Sequence, residues 1–123
     1  STIDDILSGA VDVKGTFIVR HQPEKADIDE LRRIADLVRS KLQNSVVCLG
    51  SENDGKAVLL CAATSAAVAT GVDCGAIIKK AAPLMGGGGG GRKDMAQAGG
   101  KSPEGLPGAL DMAIETTKKM IVS

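Results

Sequence analysis

The 123-residue chain has no tryptophan, no tyrosine, one phenylalanine (Phe17) and one histidine (His21). Proteins that read single-stranded nucleic acid stack its bases on aromatic side chains, so one aromatic residue argues against an RRM-type or OB-type reader. A lone histidine excludes a two-histidine metal site and any mechanism that needs a pair of imidazoles. Cysteine is also scarce: Cys48, Cys61 and Cys74 are isolated, odd in number and without C-x-x-C spacing. They read as small buried hydrophobes of a reducing, cytoplasmic protein. The longest uncharged run, residues 57–72, is 16 residues long and is broken by Thr64, Ser65, Thr70 and Gly71. A bilayer span needs about 20 apolar residues, so no membrane partner is expected. The N-terminus lacks the basic and apolar regions of a signal peptide, and its first residue, Ser1, marks the chain as a piece of a longer protein.

What is present suits one small α/β domain. Hydrophobic residues make up 43% of the chain, and 15 basic residues balance 15 acidic ones. At this length folding removes about two-thirds of the chain's surface from water, which is enough for a core without disulfides or metal. Val11, Val13, Phe17 and Val19 place one face on a strand over residues 11–20, closed by the polar His21-Gln22-Pro23. From Asp27 the period lengthens. Ile28, Leu31, Ile34, Leu37, Val38 and Leu42 line one side of a helix, and Asp27 with Glu30 forms a capping box at its start. Residues 46–49 and 57–62 form a hairpin joined by a loop of about five residues, 51–55. Asp73 caps a helix over residues 75–82 that Pro83 ends or kinks. Residues 94–98 form a short strand. Pro107 opens a final amphipathic helix through Leu110, Ala113, Ile114, Thr117, Met120 and Ile121. The expected fold is a mixed sheet of about four strands with three main helices and a glycine-rich loop.

That loop is six consecutive glycines, Gly86, Gly87, Gly88, Gly89, Gly90 and Gly91, followed at once by Arg92 and Lys93. Ordering six glycines is costly, because glycine loses more backbone freedom on folding than any other residue. In return they offer bare N–H groups and a surface without Cβ atoms, which another molecule can approach closely. A flexible linker is the other reading of such a run. Charge favours binding. Residues 79–101 carry Lys79, Lys80, Arg92, Lys93 and Lys101 against Asp94 alone, a net of +4, whereas residues 1–75 carry 8 basic and 11 acidic residues, a net of −3. A positive, glycine-lined surface attracts polyanions, and Arg grips phosphate oxygens in bidentate fashion. Lys79 and Lys80 also fit a helix C-terminus, where they complement its dipole.

No catalytic constellation accompanies the glycines. They are not followed by Gly-Lys-Ser/Thr, so they are not a P-loop, and a glycine homopolymer matches every glycine spacing and specifies none. Asp27, Asp29, Glu30 and Asp36 lie on or before one helix as its solvated face. The serines and threonines have no base nearby, and His21 is a surface residue. No cofactor or metal is expected.

Residues 86–100, reading GGGGGGRKDMAQAGG, resemble the C-terminal, DHHA1-type domain of bacterial-type alanyl-tRNA synthetase. The resemblance extends through Leu106-Pro107-Gly108-Ala109-Leu110 and covers roughly residues 10–121. It rests most specifically on Arg92, Asp94, Met95, Ala96, Gln97, Ala98, Gly99 and Gly100. Lys93 stands where the family usually has proline. The resemblance implies a non-catalytic tRNA-binding appendage that contacts the elbow of the folded tRNA, alanine tRNA in this case, and supports aminoacylation and editing by the parent enzyme. It further implies the other synthetase domains as partners, a possible homodimer in the full-length protein, and residues 1–9 as a tail or the remnant of a preceding helical segment, with residues 10–123 as the globular domain. Carried onto this chain, residues 86–91 are the contact surface and Arg92 a phosphate or base contact, with Gln97 and Asp94 either touching RNA or anchoring the loop. Lys79, Lys80, Lys93 and Lys101 join them on electrostatic grounds. Two alternatives remain at this stage. One is the substrate-binding half of a DHH phosphoesterase acting on short oligonucleotides, although such halves usually carry a histidine within the glycine motif and this chain does not. The other is a glycine surface used only for packing or self-association.

Overall fold

The computed structural model describes residues 2–122. A short helix α1 (Ile3–Ser8) leads into β1 (Val11–Val13) and β2 (Thr16–His21). Then come α2 (Ile28–Lys41), β3 (Ser45–Asn53), β4 (Lys56–Ala63), α3 (Ser65–Ala69) and α4 (Cys74–Ala81). A 3-10 turn (Ala82–Met85), β5 (Gly87–Gly91), β6 (Met95–Gly100), a second 3-10 turn (Pro103–Gly105) and α5 (Leu106–Met120) complete the order. The mixed α/β expectation holds, but the sheet has six strands rather than four, in the order β1-β2-β3-β4-β6-β5. Only β2 and β3 are parallel, joined by the α2 crossover; every other pairing is antiparallel.

One of the two extra strands comes from a turn tighter than expected, the other from the glycine run. The single strand over residues 11–20 is a hairpin: Lys14 and Gly15 both have positive φ (53° and 92°), the backbone of a two-residue turn whose twist matches that of the flanking strands. Asp12 Oδ1 accepts the Gly15 N–H at 2.8 Å and fixes that turn. The expected five-residue loop at 51–55 shrinks in the same way to Asp54-Gly55 (φ 50° and 75°), with Asn53 registered opposite Lys56. Ser51 and Asn53 are therefore strand residues. Their polar groups are met by the segment before α2: Ser51 Oγ donates to Pro23 O and accepts the Ala26 N–H, and Asn53 Nδ2 donates to Ala26 O.

The helices follow the apolar spacing. On α2, Leu31, Ile34, Ala35 and Val38 are buried, and Asp27 accepts the Glu30 N–H at 2.9 Å. Only half of the expected capping box forms there, because the Glu30 carboxylate turns to Arg33 at 2.7 Å. The complete box sits on α1, between Thr2 and Asp5. Helix α4 ends at Ala81 and gives way to the tighter turn that contains Pro83, since proline cannot donate the next helical hydrogen bond.

The helices cover the two sheet faces unequally. Val19, Val47, Leu49, Leu60 and Ala62 face α2, with α1 packed against the same cluster. Ile18, Val46, Cys48, Leu59 and Cys61 face the opposite way, onto α4 and α5. All three cysteines are fully buried, as expected of small core residues. Hydrogen bonding with the adjacent thiols of Cys48 and Cys74, and after it burial among apolar neighbours, push the Cys61 thiol well above its ordinary range, so it stays protonated and unreactive in the folded state. Helix α2 packs on β3 and β4, whereas α4 runs against β4, β5 and β6. The α2 side of the β5–β6 edge is thus the more open one, while α4 covers the other face of the glycine strand.

Candidate nucleic-acid interface

The glycine run is not a loop. Gly87 to Gly91 form the edge strand β5, registered against β6 from Gly87 opposite Gly100 to Gly91 opposite Ala96. Gly86 precedes the strand in the left-handed region (φ 69°), ending the 3-10 turn where a side chain would be strained. Glycine has poor strand propensity, so the element arises from its ladder with β6 rather than from local preference. A linker reading is excluded by that ladder. As an edge strand, β5 keeps one row of N–H and C=O groups without a strand partner.

The glycines divide into two sets with different causes. A Cβ on Gly87 would lie 1.8 Å from Gly99 O, one on Gly89 2.1 Å from Gln97 O, and one on Gly91 2.6 Å from Met95 O. These contacts are with main chain and cannot be relieved by a rotamer, so the fold itself demands glycine at 87, 89 and 91. At Gly88 a Cβ would meet nothing within 4 Å, and at Gly90 only the end of the Lys79 side chain at 3.8 Å. Neither residue has positive φ. Packing and backbone geometry therefore leave glycine unexplained at 88 and 90, whose own N–H and C=O groups pair with β6; the unpaired main-chain groups of the edge belong to Gly87, Gly89 and Gly91.

The cations are distributed around this strand. Arg92 and Lys93 form the turn from β5 to β6, and that turn is docked on the start of α4: the Cys74 N–H donates to Lys93 O at 2.9 Å and the Gly75 N–H to Arg92 O at 3.1 Å. Asp73 takes the next amide, Ala76 N–H, at 3.2 Å. The first turn of α4 thus spends its free amides on the loop and holds the two cations in place, with Gly75 needed because a Cβ would come within 2.8 Å of Gly91 O. The Arg92 side chain is 81% exposed and its ion pair with Asp94, 3.4 Å long, is a weak surface contact that an incoming phosphate can displace. Lys79 lies alongside Gly90. Lys80 is exposed about 100° further round the helix and comes within 4 Å of neither the Gly88 nor the Gly90 position. Lys101 sits at the far end of the strand, its N–H donating to Gly86 O at 3.4 Å.

Gln97 stands opposite Gly90 on β6, and its Oε1 accepts a hydrogen bond from Arg32 Nη2 at 2.5 Å. Arg32 belongs to α2, outside its apolar stripe and exposed. No local signal marks it: it reaches the glycine strand only because β6 pairs with β4, which no spacing of residues reveals. His21 is partly buried at the end of β2, and burial lowers its pKa, leaving it neutral at pH 7 and remote from these residues in the sheet order.

The mixed sheet with its glycine edge strand falls within a known domain class: the DHHA1 domain family matches residues 14–119, and the chain belongs to it. Within that class it is similar to alanine–tRNA ligases. It is 42% identical to that of Myxococcus xanthus over 114 residues, covering 93% of this chain and 13% of that protein. With the Alkaliphilus oremlandii enzyme the identity is 44% over 119 residues, covering 97% and 13%. The chain therefore spans about an eighth of the length of these relatives. Among solved structures it is similar to the C-Ala domain from Aquifex aeolicus alanyl-tRNA synthetase, with a TM-score of 0.75 and 26% identity, covering 93% of this chain and 98% of that one. Among the described residues, no helix is long and apolar enough to cross a membrane.

Proposed function

We propose that the chain is a non-catalytic RNA-binding domain of an alanyl-tRNA synthetase, which recognises the elbow of folded tRNA, alanine tRNA in the parent enzyme, by shape and supports aminoacylation and editing. The observation that carries this reading is the pair Gly88 and Gly90: glycines the fold does not need, on an edge strand with cations at both ends and alongside. Five strand residues extend roughly 13–17 Å, a length that accommodates the flat surface of a stacked base pair and the phosphates beside it. Shape and backbone contacts are how proteins read folded RNA without reading its sequence. In this reading β5 rests against the elbow bases, while Arg92, Lys93, Lys79 and Lys101 meet flanking phosphates. Lys80 contributes only long-range attraction. The other domains of the parent synthetase, a second copy of the full-length enzyme and the cytoplasm are the expected partners and setting.

Titration of tRNA with the chain at two salt concentrations tests the proposal. Neutralising about four phosphates, at 0.7–0.9 per phosphate in the log–log salt slope, predicts a loss of roughly 50- to 150-fold between 50 and 200 mM salt. The Arg92→Ala, Lys93→Ala double variant should lower that slope by roughly 1.4–1.8. Binding and slope both unchanged in the double variant would place the RNA elsewhere. Self-association of the chain with no affinity for tRNA would make β5 a packing surface.

A further inference from the structure

The α2 side of the β5–β6 edge forms a small groove lined by Arg32, Gly90, Gly91, Arg92, Met95 and Gln97. Its inventory is one-sided. Arg32 and Arg92 bring only donors, and the Gln97 side-chain carbonyl is already occupied by Arg32, leaving its NH₂ as the free end. Arginine pairing singles out one residue. Arg20 is tied to Asp111, Arg33 to Glu30, Arg39 to Asp36 and Arg92 to Asp94. Among the described residues, Arg32 is the one arginine of the chain without a carboxylate partner. Asp36, one turn further along α2, is engaged by Arg39. Instead of a counter-charge, Arg32 has a neutral anchor: Gln97 holds one end of the guanidinium over the glycine strand and leaves the remaining N–H groups free.

We infer that Arg32, steadied by Gln97, is an anion-gripping residue of this groove and takes one phosphate of the RNA backbone on the α2 side of the glycine strand, opposite the side served by Lys79. The inference rests on the reading of β5 as an RNA contact and adds a residue to it. A planar guanidinium held at one edge keeps the fork geometry that a phosphate accepts bidentately, and its ordering cost is met before the ligand arrives. Gln97 is a positioning residue. It sets where the guanidinium lies and contributes no charge.

The test compares tRNA titrations of the 123-residue chain and three variants at 50 and 200 mM salt. Arg32→Ala should weaken binding about tenfold and lower the salt slope by about 0.7–0.9, one phosphate's worth. Arg32→Lys should recover the slope but only part of the affinity, because an ammonium keeps the charge and loses the fork. Gln97→Ala should lose several-fold in affinity with the slope kept. Arg33→Ala, altering the neighbour paired on the solvent face, should change neither quantity by more than about twofold. Arg32 is exposed, so thermal unfolding of its variants should match the parent and separate binding from folding. If the parent chain binds tRNA and Arg32→Ala binds it with the same slope, the inference is overturned and the reading of β5 stands. If the parent chain does not bind tRNA, tripolyphosphate is the second probe. Arg32-dependent retention of that anion would leave the groove as an anion site and remove the tRNA reading, and its absence would remove both.

Discussion

Gly89→Ala is expected to destabilise the domain by about 3 kcal/mol, the upper end of what forcing extra atoms into a packed region costs. The methyl group would lie 2.1 Å from Gln97 O and 2.6 Å from the Ala98 Cα, so the β5–β6 ladder itself must part to accept it. Ala96 and Ala98 on β6 belong to the core beneath α4 and α5, and the displacement propagates into packed side chains. For a chain of this length the unfolding midpoint should fall by roughly 10 °C or more. The neighbouring Gly88→Ala, one residue away in the same strand, should instead be neutral or stabilise by about 0.4–1 kcal/mol, because alanine has fewer unfolded conformations to lose and meets no atom within 4 Å. Calorimetry on the two single variants checks both halves. Equal destabilisation would mean the two sets of glycines are not distinct.

The same partition predicts the opposite outcome for binding. The Gly88→Ala, Gly90→Ala double variant should fold as well as the parent and yet bind tRNA at least tenfold more weakly. Two methyl groups hold a flat ligand surface off the strand by more than an ångström, which forfeits a large part of the close van der Waals attraction along it and lengthens hydrogen bonds to the edge-facing amides of Gly87, Gly89 and Gly91. Charge is untouched, so the salt slope should stay near that of the parent. A variant with lower affinity and unchanged slope and stability would carry a signature that neither the removal of a cation nor a folding defect produces.

The helices were legible because α2 and α5 repeat their apolar residues every three or four positions and carry local start signals, Asp27 and Pro107. The β3–β4 hairpin was legible for a similar reason, though its polar end, Ser51 to Asn53, reads as a loop until the segment before α2 is seen to satisfy it. The turn at Lys14-Gly15 was hidden because lysine is not a residue that announces positive φ. Strand β5 was hidden more deeply: six identical glycines hold no periodicity, and what makes them a strand is a register with β6 that local pattern cannot state. The chemical character of the site, cations around bare main chain, was nonetheless plain in residues 86–93. Arg32 was not, since it arrives from 65 residues before Gln97 in the sequence.

The proposed RNA contact is the glycine strand itself, with Gly88 and Gly90 leaving its surface free of side chains and Gly87, Gly89 and Gly91 presenting the edge amides. The direct measurement is a titration of the ¹⁵N-labelled chain with tRNA, following individual backbone amides by NMR. The signals of the β5 amides, Gly87 to Gly91, should shift or broaden first, together with those of Arg92 and Lys93. Amides of β5 that stay unmoved while signals on α5 or β1 respond would contradict it.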